Sequence, residues 1–167
     1  ALYMAVKNAF GGVCFMEWDE DIRLRKAAAL RKSRKKLSDE IAFYCFQQYL
    51  FAKQWKELKT YANKKGIEIV GDIPIYVAFD SADTWANPKL FQLDREGRPI
   101  GVAGCPPDCF SETGQLWGNP LYDWKYHKKT GYEGWMQRIA YCYQLHDVLR
   151  IDDLRGIDEY WLVPYVD

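Results

Sequence analysis

The residues best suited to chemistry are two carboxylates and one guanidinium. In the run Val148-Leu149-Arg150-Ile151-Asp152 the side chains alternate, so in a strand Arg150 and Asp152 share one face while Leu149 and Ile151 share the other. A guanidinium beside a carboxylate favours the ionised form. That suits a nucleophilic or charge-stabilising carboxylate and not a proton donor. Asp153 and Arg155 extend the charge just past the strand end. A second carboxylate, Asp72, closes another β-branched run, Ile67-Glu-Ile-Val-Gly-Asp72, and Pro74 follows it. The same spacing also fits an Arg–Asp pair that merely closes a strand.

A second group of residues suits recognition. The segment from Gly104 to Tyr122 mixes the stiff Pro106-Pro107 pair with Asp108, Gln115 and Asn119, set beside Phe110 and Trp117. Flat rings against the apolar faces of a sugar, with amides and carboxylates against its hydroxyls, would hold a polyhydroxylated ligand. A self-packed surface loop with no ligand fits the same composition. The five cysteines, at 14, 45, 105, 109 and 142, include one close pair, Cys105 and Cys109, with no partner pair at zinc-binding spacing. The two histidines read as a surface residue, His127, and a helix-end residue, His146. No metal, nucleotide or organic cofactor is called for. The cysteine usage fits reduced thiols in an intracellular, cytoplasmic protein.

Several elements must position these groups. Residues 20–37 are strongly charged and read as a solvated helix. Ser38 is placed to cap the next helix, with Asp39 and Glu40 in its first turn. Ile41, Tyr44, Cys45, Gln48, Phe51, Ala52, Trp55, Leu58 and Ala62 recur at three- and four-residue steps, and Lys64-Lys65-Gly66 ends the run. A strand over 67–72 follows. Between 73 and 130 the periodicity is lost, apart from a hairpin turn at Asp94–Arg98. So long an irregular stretch implies a functional insertion or a subdomain. A helix over 131–146 and a strand over 147–152 come next, and 153–167 continue from it. Two apolar strands that each end in aspartate, with a crossover helix before the second, belong to a parallel α/β fold.

Composition bounds the rest. The chain has 167 residues, enough for one domain, with 49% apolar and 28% charged residues, so it should fold. Lys plus Arg and Asp plus Glu are both 23, which argues against a dedicated nucleic-acid binder. No apolar run approaches the ~20 residues of a membrane helix. The aromatics (7 Trp, 12 Tyr and 8 Phe) make up 16% of the chain, a share that suits both cores and sugar faces.

Three long motifs, in order, resemble the amylomaltase family of 4-α-glucanotransferases, in the α-amylase superfamily. They are GDIPIYVAFDSADTWANP from Gly71 to Pro88, the Pro-Pro-Asp loop with GQLWGNPLY ending at Tyr122, and LRIDDLRG from Leu149 to Gly156 with Tyr160-Trp161. The resemblance implies a (β/α)₈ barrel with insertions, acting on maltooligosaccharides and other α-1,4-glucans by a retaining double displacement. It implies Asp152 as nucleophile, Arg150 as its support, and Asp72 as a hydrogen-bonding partner of the central sugar. Asp108 and the stretch from Phe110 to Trp117 match a mobile loop over the sugars. Three positions depart from the family pattern: Asp153 replaces the usual His, Leu154 a Phe, and Cys109 a Tyr. The family's general acid and a further aspartate lie on later strands, and a whole barrel takes roughly 250 residues. The expectation is therefore a middle fragment, inactive alone. A non-catalytic glucan-binding protein and a glucan hydrolase of the same superfamily are the alternatives.

Overall fold

A computed structural model describes residues 1–165, apart from the side chain of Arg155. The first part is helical: α1 (Leu2–Ala9), α2 (Glu20–Arg23), α3 (Ala27–Lys36) and the 27-residue α4 (Ser38–Lys64). Strand β1 (Val70–Pro74) follows, then α5 (Ala82–Ala86), β2 (Gly101–Cys105), β3 (Gln115–Pro120), α6 (Trp124–Lys129), α7 (Glu133–Leu145), β4 (Val148–Asp152) and β5 (Trp161–Pro164). No helix is long and apolar enough to cross a membrane among the described residues.

Two small sheets organise the chain. β1 and β4 pair in parallel, Asp72 opposite Arg150 and Pro74 opposite Asp152. Parallel neighbours need a crossover, and α7 lies in it directly before β4. The second sheet is antiparallel in the order β3-β2-β5. One apolar cluster, with Ile73, Ile75, Tyr76, Phe91, Leu121, Tyr122 and Trp135, packs between the sheets and α7. A second gathers Tyr3, Val6, Phe15, Trp18, Ile22 and Trp85 around α1.

Several expected boundaries move. The strand expected over 67–72 starts at Val70 and runs to Pro74. Residues before it complete the helix end: the Ile67 amide donates to Ala62, Asn63 donates to the Ile67 carbonyl, and the Ile69 amide donates to the Asp147 carboxylate. Ser38 does not cap α4. Leu37 occupies the cap position, because α3 runs into α4 through this one bent residue. The face expected on α4 touches α1 and α7, with the Trp55 indole donating to the Leu145 carbonyl at 2.7 Å. Two residues of that expected face, Phe51 and Leu58, are more than half exposed, as are the further apolar residues Phe43, Phe46 and Tyr61. No residue of α4 is fully buried. The 73–130 stretch is no single irregular excursion: it holds two short helices and a hairpin. The Asp94–Arg98 turn forms as expected, the Asp94 carboxylate accepting from the amides of Glu96 and Arg98.

His127 is a correction. It is 1% exposed, its Nε2 3.1 Å from the Leu90 carbonyl and its ring edge-on to Tyr122. It sits on the inner side of the short α6, which turns it into the aromatic cluster. Burial holds its imidazole below the usual value, against the opposing effects of the Leu90 carbonyl and Asp123. His146 is the C-cap of α7, as expected.

Candidate active site

The parallel pairing of β1 and β4 builds the site. Along each strand alternate residues face away from the core, which leaves Asp72 on β1 and Arg150 and Asp152 on β4 on one open face. Arg150 forks between the two carboxylates, with Nη1 donating to Asp72 Oδ2 at 2.7 Å and Nη2 to Asp152 Oδ1 at 2.5 Å. All three side chains are more than half exposed. Ion pairs in such a position contribute little to stability. Their consequence is positional: a rigid planar cation holds two carboxylates of neighbouring strands together, Asp152 at the end of β4 and Asp72 in the middle of β1, which runs on to Pro74 and does not end in the expected aspartate.

Asp153 follows with a backbone φ of 53°, in the left-handed region that few non-glycine residues adopt. Asp, Asn and His tolerate it best among non-glycine residues. The turn continues as the Gly156 amide donates to the Asp153 carbonyl at 2.9 Å. Gly156 is buried against the end of β1: a Cβ there would lie 2.8 Å from the Tyr76 hydroxyl. Tyr76, just beyond β1, has its phenol pushed up to about 12 by burial and, next, by the charge of Asp153. The sequence reading named no role for Tyr76. Its one signal was its position four residues after Asp72, past a strand end.

The recognition residues distribute unevenly. An open groove of about 540 Å³ is lined by Tyr76, Asp108, Trp117, Asp153, Tyr160 and Trp161 among others. Asp108 and Trp117 thus reach it, Trp117 with its ring 6.2 Å from that of Tyr76. Phe110 stands at the tip of the loop between β2 and β3, 90% exposed. Asp108 also shapes that loop, its Oδ1 accepting from the amides of Phe110 and Ser111 at 2.9 and 2.8 Å. Gln115 accepts from the Trp117 indole at 2.9 Å and orients that ring. Asn119 lies away from the groove lining and donates to the Val77 carbonyl at 2.8 Å, tying β3 to the segment after β1. Cys105 lines the groove, Cys109 is exposed on the loop, and all five cysteines are free thiols. Among the described residues no group of three or more His, Cys, Asp or Glu gathers as a metal site.

Arranged this way, the site offers a carboxylate pair held by one cation, next to a groove walled by aromatic rings. The family model described as 4-alpha-glucanotransferase matches residues 1–167. A 4-alpha-glucanotransferase of Clostridium butyricum is 51% identical over 166 residues, 99% of this chain and 34% of its own length. The chloroplastic/amyloplastic 4-alpha-glucanotransferase of Solanum tuberosum is 47% identical over 98% of this chain and 28% of its own length. Amylomaltase from Streptococcus agalactiae, solved in complex with acarbose, superposes with a TM-score of 0.95 at 48% identity, over 98% of this chain and 33% of that one. The chain therefore spans about a third of the length of these relatives, and within that span it belongs to the 4-alpha-glucanotransferase family.

Proposed function

We propose that this chain is the nucleophile-bearing section of a longer 4-α-glucanotransferase built on a (β/α)₈ barrel, with β1 and β4 as two neighbouring barrel strands. The single observation that carries the reading is the Asp72–Arg150–Asp152 ladder across two adjacent parallel strands, toward the C-terminal end where Asp152 closes β4. Ligands gather at that end of parallel strands in barrel enzymes.

In this reading Asp152 attacks the anomeric carbon of an α-1,4-linked glucan, and the new bond is a glucosyl ester. The leaving sugar takes a proton from a general acid that no residue of this chain is assigned. An acceptor sugar hydroxyl then returns its proton to that same acid, now a base, and displaces the carboxylate from the opposite face, so configuration is retained overall. Arg150 holds and aims the Asp152 carboxylate through Nη2. Asp72 accepts hydrogen bonds from hydroxyls of the central sugar. Tyr76, Trp117 and Phe110 offer flat faces, and Asp108, Gln115 and Asn119 set the shape of the loop and hairpin that carry them. Without the acid, the 167 residues alone do not turn over. The substrates are maltooligosaccharides or longer α-1,4-glucans, met in the cytoplasm.

Product analysis on the full-length protein tests this. Incubation with a single maltooligosaccharide should give both longer and shorter chains, and Asp152→Asn should abolish both. Products that are only shorter identify a hydrolase. Retained glucan binding, with no turnover in the unsubstituted protein, identifies a binding protein, the reading that the exchanges at Asp153 and Cys109 would favour.

A further inference from the structure

One cation in this region has no part in the chemistry described so far. Arg138, on α7, sends its guanidinium to the end of β1, where Nη1 donates to the Ile75 carbonyl at 2.8 Å and Nη2 to the Pro74 carbonyl at 2.6 Å. Nη1 also lies 3.0 Å from the Tyr122 hydroxyl. That hydroxyl in turn donates to the same Ile75 carbonyl at 2.7 Å. The guanidinium lies 5.0 Å over the ring of the buried Trp135, which holds its plane. Each hydrogen-bond partner is neutral, so the guanidinium is spent on backbone and hydroxyl oxygens.

The peptide it grips has a second contact. The Ile75 amide donates to the backbone carbonyl of Asp152 at 3.2 Å. Pro74, which stands opposite Asp152 in the register, has no amide to offer. The Pro74–Ile75 peptide is therefore a link between β1 and the main chain of Asp152: its N–H faces Asp152, and its carbonyl, that of Pro74, is held from behind by Arg138 Nη2. The next carbonyl, that of Ile75, is held by Arg138 Nη1 and by Tyr122.

We infer that Arg138 is a positioning residue for transfer: through the Pro74–Ile75 peptide it sets the backbone position of Asp152, which it does not touch. This rests on the reading of Asp152 as nucleophile. Lysine keeps the charge but lacks the planar fork that reaches both carbonyls and the hydroxyl at once. Small displacements of a reacting group cost rate steeply even when binding is intact.

The test is Arg138→Lys in the full-length enzyme, with steady-state transfer kinetics on maltotriose and amide hydrogen exchange at Ile75, both well below the melting temperature. The expected result is a kcat lower by about 10- to 100-fold with KM within about twofold, and faster exchange at Ile75. Tyr122→Phe, which removes one of the two donors, should show a smaller loss in the same direction. A full kcat in Arg138→Lys overturns the proposal, whether or not exchange quickens. So does a loss in kcat that only tracks the unfolded fraction while Ile75 exchange in folded protein stays unchanged. An unsubstituted enzyme without transfer activity would instead end the transfer reading itself.

Discussion

The strand-borne charges and the loop-borne aromatics are held by opposite means. Asp72, Arg150 and Asp152 have open side chains on a backbone pinned from several directions: paired across β1 and β4, backed by the apolar cluster, and gripped at Ile75. Phe110 has an open side chain on an open backbone. Its loop is shaped locally, by Asp108 accepting two amides and by the Ser111 hydroxyl donating to the Gly114 carbonyl at 2.7 Å. The difference matches two tasks. Under the proposed transfer reading, a nucleophile must be held to a fraction of an ångström, whereas a ring that covers a sugar must let the sugar in and out.

The largest break in this comparison is Asp152→Asn in the full-length enzyme. Transfer should fall at least about 10³-fold while maltooligosaccharide affinity, read by calorimetry, changes far less. Phe110→Ala should act in the opposite sense, raising KM by about tenfold, the equivalent of 1.4 kcal/mol. The melting temperature should not move, because the ring is 90% exposed. A shared loss of kcat and stability in Phe110→Ala would erase the contrast between the regions.

Asp108 sharpens it further. Asparagine keeps a carbonyl oxygen that can accept the amides of Phe110 and Ser111, and alanine does not. If loop shape is what matters, Asp108→Asn should stay within about threefold of the parent in kcat/KM, and Asp108→Ala should lose about tenfold. Equal losses would assign the carboxylate to the sugar directly.

The smallest effect concerns acid. Asp147, at the foot of β4, has its carboxyl held below the usual 3.8 by the Ile69 amide and then by Asn63 and Lys59, against desolvation. Burial alone would lift the carboxyl of Asp80, but hydrogen bonds from Lys7, Tyr3 and the Phe15 amide outweigh it and hold it below 3.8 as well. Both carboxyls bind protons more weakly folded than unfolded. The stability they add is complete above the unfolded value near 3.8 and is lost as pH falls through the lower folded values. Thermal unfolding followed from pH 5 to pH 3 should show that decline, and Asp80→Asn should flatten it while lowering the melting temperature by about 2–4 °C near neutrality.

Much of the strand-borne part was legible in the sequence. A two-residue alternation put Arg150 and Asp152 on one face, and three- and four-residue steps gave α4 its inner side and its end at Lys64. The antiparallel sheet was not legible. β2 is Gly-Val-Ala-Gly-Cys, poor in the residues that favour strands, because its neighbours come too close for larger ones. A Cβ at Gly101 would lie 2.8 Å from the Leu162 side chain, and one at Gly104 2.5 Å from the Gln115 carbonyl. His127 escaped for a related reason. α6 has six residues, too few for a periodic pattern to show which side faces inward. Arg138 carried no sequence signal at all, since its partners are main-chain oxygens 63 and 64 positions away.

The pairing of β5 with β2 has a consequence for how the molecule is made. β4 supplies the partner of β1, and within a dozen residues β5 covers the remaining edge of β2. As synthesis proceeds from the N-terminus, β1 and the hairpin leave the ribosome long before either partner does, each with an unpaired edge that invites wrong pairing. Both pairings then form in the same brief interval, as residues 148–164 emerge. The strand that carries Asp152 and the sheet beneath the Phe110 loop gain these partners together, while the outer edges of β1 and β4 still await neighbours.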